Sequence, residues 1–172
     1  MKKIVLLGYM GCGKSTIANN LSQKTAISYL DLDHFIEEKT NLSIKALFEK
    51  HGEVYFRKVE HQAFVEVLAM PGDLILGLGG GTPCYANNHV LLQQPEVISI
   101  YLKASIDTLF ERLSKNRSKR PVIANLNEEE LKEFIAKHLF DRSFYYHQAQ
   151  HILPIDGKSV SEIVTSIELL LA

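Results

Sequence analysis

Two hydrophobic rhythms take turns along the chain. Lys3–Leu7 (KIVLL) is a nearly continuous apolar run, as in a parallel strand covered on both faces. From Lys14 to about Lys24, Ile17, Ala18 and Leu21 recur at helical spacing and predict a helix. A short strand near Ser28–Leu30 leads into Asp31-Leu32-Asp33, and two helical stretches follow, about Ser43–Lys50 and Val54–Met70, parted by a turn at Gly52. Pro71-Gly72 ends the second of them. Leu74–Leu76 reads as a strand running into Gly79-Gly80-Gly81, and Val97–Leu102 (VISIYL) as another, rich in β-branched and aromatic residues. Ile106–Leu113 predicts a helix, followed by a polar, basic stretch to about Asn125. Glu128 to about Tyr145 predicts a long helix with Asn127 as its N-cap, Ile152–Ile155 a last strand and Ser159–Leu171 a closing amphipathic helix. Alternation of this kind predicts an α/β protein: a three-layer α/β/α sandwich around a five-stranded, mostly parallel sheet.

Length and composition narrow the class. A chain of 172 residues suits one domain, and 46% hydrophobic with 23% charged residues is enough to build a core. No apolar run approaches the ~20 residues of a membrane span. The start, MKKIVLLGYMG, has the basic and apolar beginning of a signal peptide but runs into a glycine motif with no cleavage site. It reads as the first strand of a cytoplasmic protein. Nineteen basic against 20 acidic side chains leave a net charge of −1, without the basic excess of a nucleic-acid binder. The one basic cluster, Lys115–Arg120 (KNRSKR), is too small to change that. Cys12 and Cys84 are too few and too far apart for a disulfide framework or a CxxC metal site.

Gly8-Tyr-Met-Gly-Cys-Gly13-Lys14-Ser15 carries the first clear chemistry, matching G-x-x-x-x-G-K-[ST] in full between a strand and a helix. Such a loop turns successive backbone N–H groups onto a phosphate, and the helix N-terminus adds partial positive charge. Lys14 can reach the β- and γ-phosphates, and the Ser15 hydroxyl can ligate Mg²⁺. An NKxD-type base-reading motif is absent and the chain is short for a large ATPase. A P-loop domain of this size with a basic stretch near positions 115–125 suggests a small-molecule kinase.

Other residues then acquire candidate roles. Only six Asp occur, and two form Asp31-Leu32-Asp33 beyond the second strand. On an extended segment both carboxylates share one side, with Leu32 toward the core. One can hold the Mg²⁺ hydration shell while the other meets the acceptor hydroxyl; the rival is a helix N-cap at Asp33. Arginine is scarce, with Arg57, Arg112, Arg117, Arg120 and Arg142 against fourteen lysines. Each fork-shaped donor is therefore a candidate for planar anion recognition. Arg57, with Glu60 one turn on, can bind a carboxylate or form an ordinary helix ion pair. Arg112, Arg117 and Arg120 fall in a stretch of about 112–125 that reads as a lid over the phosphate loop. Gly79-Gly80-Gly81 permits close approach of backbone to a ligand. His147 and His151 are four apart, but without HExxH they read as a solvated face.

These motifs, in this order, resemble the shikimate kinases, of the nucleoside-monophosphate-kinase-like P-loop group. GYMGCGKST resembles the family's phosphate loop, and DLDHFIEEKTNLSIKALFEKHGEVYFRKVE its substrate-binding segment. GGG, RP in the lid and DRSFYY before the last strand complete a likeness that covers nearly the whole chain. The resemblance implies one kinase domain over 1–172, with a substrate-binding segment at about 33–60 and a lid at about 112–125. It implies a cytoplasmic monomer that makes shikimate 3-phosphate from ATP and shikimate with Mg²⁺, for aromatic amino-acid synthesis, with no nucleic-acid or membrane partner. Asp33, Arg57, Gly79, Gly80, Gly81 and Arg142 would contact shikimate. Gly11, Cys12, Gly13, Lys14, Ser15 and Thr16, with Arg112 and Arg120, would bind ATP. Ser15 and Asp31 would organise Mg²⁺, and Asp33, Lys14 and Arg120 would act in catalysis. One departure is visible: Gly77-Leu78 precede the triple glycine where family members often have Ser or Ala followed by Thr. Kinases for gluconate or a nucleoside monophosphate are the same-fold rivals, and a non-catalytic ATP switch is the rival of another class.

Overall fold

The computed structural model describes all 172 residues. Its centre is a five-stranded sheet in the order β2-β3-β1-β4-β5. The strands are β1 (Lys3–Leu7), β2 (Tyr29–Asp31), β3 (Leu74–Gly77), β4 (Val97–Lys103) and β5 (His151–Pro154), and every pairing is parallel. Seven α-helices connect and cover them: α1 (Lys14–Thr25), α2 (Leu32–Thr40), α3 (Ile44–Ala69), α4 (Asn88–Leu91), α5 (Ile106–Lys115), α6 (Glu128–Tyr146) and α7 (Val160–Leu171). Helix α1 packs on α7, α2 on α3 and α5 on α6.

β1 is buried along its whole length, which is why its sequence runs apolar instead of alternating. Ile4 pairs with Ile75 on one side and Ile98 on the other, and Leu6 with Gly77 and Ile100. Each such aliphatic side chain withdrawn from water contributes about 1.5–3 kcal/mol before entropy is charged against it. Lys3 is buried in the same strand and escapes the cost of an unpaired ammonium through its long stem. Its Nζ donates to Met70 O at 2.6 Å and Gly72 O at 2.7 Å, just past the end of α3. β1 has β3 on one side and β4 on the other, so its carboxyl end is the topological switch point, where such sheets bind ligands.

Three departures from the sequence reading bear on function. Asp31-Leu32-Asp33 is not extended: Asp31 is the N-cap of α2, its Oδ1 accepting from His34 N at 3.0 Å, and Asp33 lies in the first turn. The missing signal was the cap itself, which an Asp at the end of a strand supplies as readily as it supplies a ligand. Helix α5 runs to Lys115, two residues beyond the predicted end, so Arg112 stands on a helix. Only from Asn116 does the chain leave helix, into a tight turn at Arg117–Lys119 and further turns to about 125. Ile123 is fully buried, and Arg117 Nη1 donates to Leu126 O, so both ends of this segment are tied down. Finally, His147 follows the last turn of α6 while His151 opens β5, so the two do not share a helix face. The break at Gly52 is as predicted, with φ 82° and ψ 173°.

Candidate active site

The phosphate loop leaves β1 at Gly8 and enters α1 through Gly13, whose φ of 93° is a left-handed conformation that favours glycine. No side chain caps α1, so its first amides face the loop's concavity without an internal partner. Lys14 Nζ folds back to donate to Gly8 O at 2.6 Å and Tyr9 O at 3.2 Å. From the far side Arg112 Nη1 reaches Cys12 O at 3.1 Å and Gly11 O at 3.4 Å and braces the loop from α5. Cys12 has its thiol packed in the core and its N–H bonded to Tyr9 O, so it belongs to the loop's own architecture.

Above the loop opens a cleft of about 510 Å³. Gly11, Gly13, Lys14, Ser15 and Thr16 form one wall, Asp31, Asp33, Gly79 and Gly80 another, and Arg112, Asn116 and Arg120 the rim. The cleft thus gathers residues predicted from four separate segments. Arg57, Gly81 and Arg142 stand beside it, at the continuation of the glycine turn.

That turn explains itself once its neighbours are considered. A Cβ on Gly79 would lie 3.1 Å from Asp33 Oδ1; on Gly80, 3.1 Å from Arg142 Nη1; and on Gly81, 2.8 Å from Arg57 Nη2. Each glycine therefore clears the space for one charged side chain, and three charges from α2, α6 and α3 converge on eight or so ångströms of bare backbone (on the order of two to three residues' length). Tyr146 fixes the turn from behind by donating to Gly80 O at 2.6 Å.

Burial sets the electrostatics. Asp33 is pushed up to about 6, chiefly by desolvation and then by the neighbouring charges of Asp31 and Glu60, with Lys14 opposing. A carboxyl so placed is ready to exchange a proton near neutral pH. Arg57 lies 3.8 Å above the Tyr85 ring, and its Nη1 donates to Glu60 Oε1 at 2.9 Å. Its Nε is buried without a hydrogen-bond partner. Glu60 in turn accepts from Thr82 Oγ1 at 2.8 Å, which ties α3 to the residue after the glycines.

Comparison with known proteins gives this arrangement a family. The sequence model described as shikimate kinase matches residues 10–171. The chain belongs to the shikimate kinase family. The shikimate kinase of Flavobacterium johnsoniae is 64% identical over the full length of both chains, and that of Flavobacterium psychrophilum 51% identical over 99% of each. Among solved structures, the shikimate kinase of Bacteroides thetaiotaomicron superposes with a TM-score of 0.90 at 31% identity, covering 99% of this chain and 98% of the other. A shikimate kinase from Acinetobacter baumannii, in complex with shikimate, gives 0.85 at 29% identity, with coverage of 99% and 93%. A deoxyadenosine kinase from M. mycoides, at 18% identity and a TM-score of 0.62, shares the fold.

Within the shikimate kinase frame, several residues at the site carried little sequence signal. Tyr85 and Thr82 sit in an irregular segment with no periodicity. Tyr146, one turn after Arg142 on α6, was accessible in principle, because a Tyr four residues from a candidate Arg shares its helix face. Tyr9 is buried beneath Arg142, whose guanidinium carbon is 5.7 Å from the ring centre, and its hydroxyl pairs with His138 Nδ1 at 2.9 Å.

Proposed function

We propose that the protein transfers the γ-phosphoryl group of ATP to the 3-hydroxyl of shikimate, giving shikimate 3-phosphate and ADP. The observation that carries this is the glycine turn with Asp33, Arg142 and Arg57 each laid against one glycine. It offers a base and two planar cations to a small, carboxylated polyol beside a phosphate loop. Arg57, oriented by Glu60 and with a buried Nε that makes no hydrogen bond and only a 3.7 Å ion pair to Glu53, anchors the acceptor's carboxylate, and Arg142 adds a second cation.

Asp33 accepts the proton of the 3-hydroxyl as its oxygen bonds to phosphorus, while the bond to the β–γ bridging oxygen breaks and its electrons leave with ADP. Lys14 exchanges the carbonyls of Gly8 and Tyr9 for phosphate oxygens. The amides of Gly11, Gly13, Ser15 and Thr16 cradle the phosphates, Arg112 holds the loop's shape, and Arg120 meets charge on the transferring group. Gly79, Gly80 and Gly81 keep the acceptor close to the backbone. The Ser15 hydroxyl and Asp31 carboxylate, both hard oxygens lining the cleft, suit Mg²⁺, which takes few protein ligands beside phosphates and water. Bound there, Mg²⁺ would neutralise charge on the β- and γ-phosphates. The substrate-binding segment of about 33–60 and the lid of about 116–125 complete a domain that acts as a cytoplasmic monomer on small molecules.

A coupled assay of ADP release with shikimate, gluconate, AMP and CMP tests the assignment. Shikimate should give by far the fastest turnover; a faster rate with gluconate or a nucleotide overturns it. No helix is long and apolar enough to cross a membrane.

A further inference from the structure

Tyr29 and Asp31 are two residues apart on β2 and so point to the same face of the sheet. Asp31 is in register with Gly77 of the neighbouring strand β3, so a side chain at position 77 would emerge on that face too. It has no room. A Cβ there would lie 3.1 Å from the Tyr29 hydroxyl oxygen and 3.3 Å from a ring carbon, with Asp31 Oδ2 at 3.7 Å. The phenol thus occupies the space vacated by Gly77, and its hydroxyl arrives beside the cleft. There it donates to Asp31 Oδ2 at 3.4 Å. Asp31 Oδ1 is already held by His34 N, so Tyr29 takes the carboxylate's second oxygen.

We propose that Tyr29 is a positioning residue for the cation of the bound nucleotide, its hydroxyl holding the Asp31 carboxylate across the bare backbone of Gly77. The proposal rests on the assignment of Ser15 and Asp31 to Mg²⁺. A ring hydroxyl on Asp31 Oδ2, with His34 N on Oδ1, limits the rotation of that carboxylate, as outer-shell partners of metal ligands do. Tyr29 itself touches neither shikimate nor the reacting atoms. Its effect should therefore appear in the Mg²⁺ dependence of nucleotide binding, while acceptor binding stays the same.

The test is calorimetric titration of ADP into the full chain, in EDTA and across a series of Mg²⁺ concentrations, with wild type, Tyr29→Phe and Gly77→Ala. Tyr29→Phe keeps the ring and the packing. It should leave ADP affinity in EDTA and the Kd for shikimate unchanged, and raise the Mg²⁺ concentration needed for half the affinity gain by roughly threefold to tenfold, in keeping with one hydrogen bond to a carboxylate at the long end of its range. Gly77→Ala, which keeps the hydroxyl but displaces it, should show the same selective loss, and the double variant should be no worse than the poorer single one. The proposal is overturned if Tyr29→Phe keeps the wild-type Mg²⁺ dependence, or if it weakens ADP equally with and without Mg²⁺. A wild type whose ADP affinity ignores Mg²⁺ would overturn the metal assignment and the proposal together, so the two failures are distinguishable.

Discussion

Arg57 Nη1 donates to Glu60 Oε1 at 2.9 Å, and Glu60 is only 1% exposed. A carboxylate that deep is stable only with partners, and it has two: Arg57 from its own helix and Thr82 from the segment after the glycine turn. The pair therefore holds a guanidinium at a fixed angle over Gly81 and ties α3 to the floor of the site.

Losing the fork of Arg57 should weaken the acceptor more than it slows chemistry, because the acceptor's carboxylate is remote from the reacting oxygen. Arg57→Lys is expected to raise KM for shikimate roughly tenfold to hundredfold, in line with about 1.5–3 kcal/mol for charge-assisted hydrogen bonds, with kcat nearly kept. Glu60→Gln should raise it less. Steady-state kinetics with shikimate varied decide the matter. A fall in kcat at constant KM would remove Arg57 from the carboxylate.

Gly81→Ala should reproduce the Arg57 phenotype with Arg57 still in the chain. The new Cβ would stand 2.8 Å from Nη2 and 3.0 Å from Nη1, so the guanidinium must shift. KM for shikimate should rise while KM for ATP stays within about twofold, since the phosphate loop does not touch Gly81. An ATP effect as large as the shikimate effect would mean that the turn, and not the arginine, had been disturbed.

Asp33→Asn keeps shape and removes the base, and turnover is expected to fall by roughly 10²–10⁴. In the wild type, kcat/KM should decline on the acid side with an apparent pKa near the value of about 6 to which burial and its acidic neighbours push Asp33. The same shift has a stability consequence of opposite sign. With its pKa raised above 3.8, folded Asp33 binds its proton more tightly than the unfolded chain does, so stability falls as pH rises through roughly 4 to 6. Asp33→Asn should accordingly melt higher than wild type at pH 7.5, by about 2–4 °C for each kcal/mol recovered. The gap should close toward pH 4. An inactive variant with unchanged or lower Tm at pH 7.5 would show that the carboxylate is not strained in the fold.

Much of this site was legible because its chemistry is local in sequence. The phosphate loop, the glycine triplet and the scarce arginines announce themselves in a few residues each, and the runs of β1 and β4 carry the rhythm of buried strands. What stayed hidden depends on who lies across from whom. Gly77 is an unremarkable strand residue until β2 lays Tyr29 over it, and no spacing connects positions 29 and 77. Asp31 could not be told from an extended ligand because N-cap and metal ligand ask for the same short carboxylate. Arg112 was assigned to a lid because basic, polar sequence around a helix end has no sharp boundary; only its reach to the carbonyls of Gly11 and Cys12 separates it from Arg120.

That separation yields a last prediction. Arg112 stands on α5 and supports the loop that binds ATP, so its effect should be felt equally in ground and transition states. Arg112→Ala is expected to raise KM for ATP with a smaller change in kcat. Arg120 lies on the rim of the cleft, in the turn segment pinned by Ile123, and no loop carbonyl claims its guanidinium. It is free to meet charge spread over the transferring phosphoryl group, an interaction that strengthens only as the transition state forms. Arg120→Ala should then lower kcat by roughly 10²–10³, the usual effect of removing one such donor, with a smaller rise in KM. Arg120→Lys should recover part of the rate, because charge is kept while the planar fork is lost. Kinetics with ATP and shikimate varied separately distinguish the two arginines. If Arg112→Ala lost kcat and Arg120→Ala only raised KM for ATP, their roles would be exchanged.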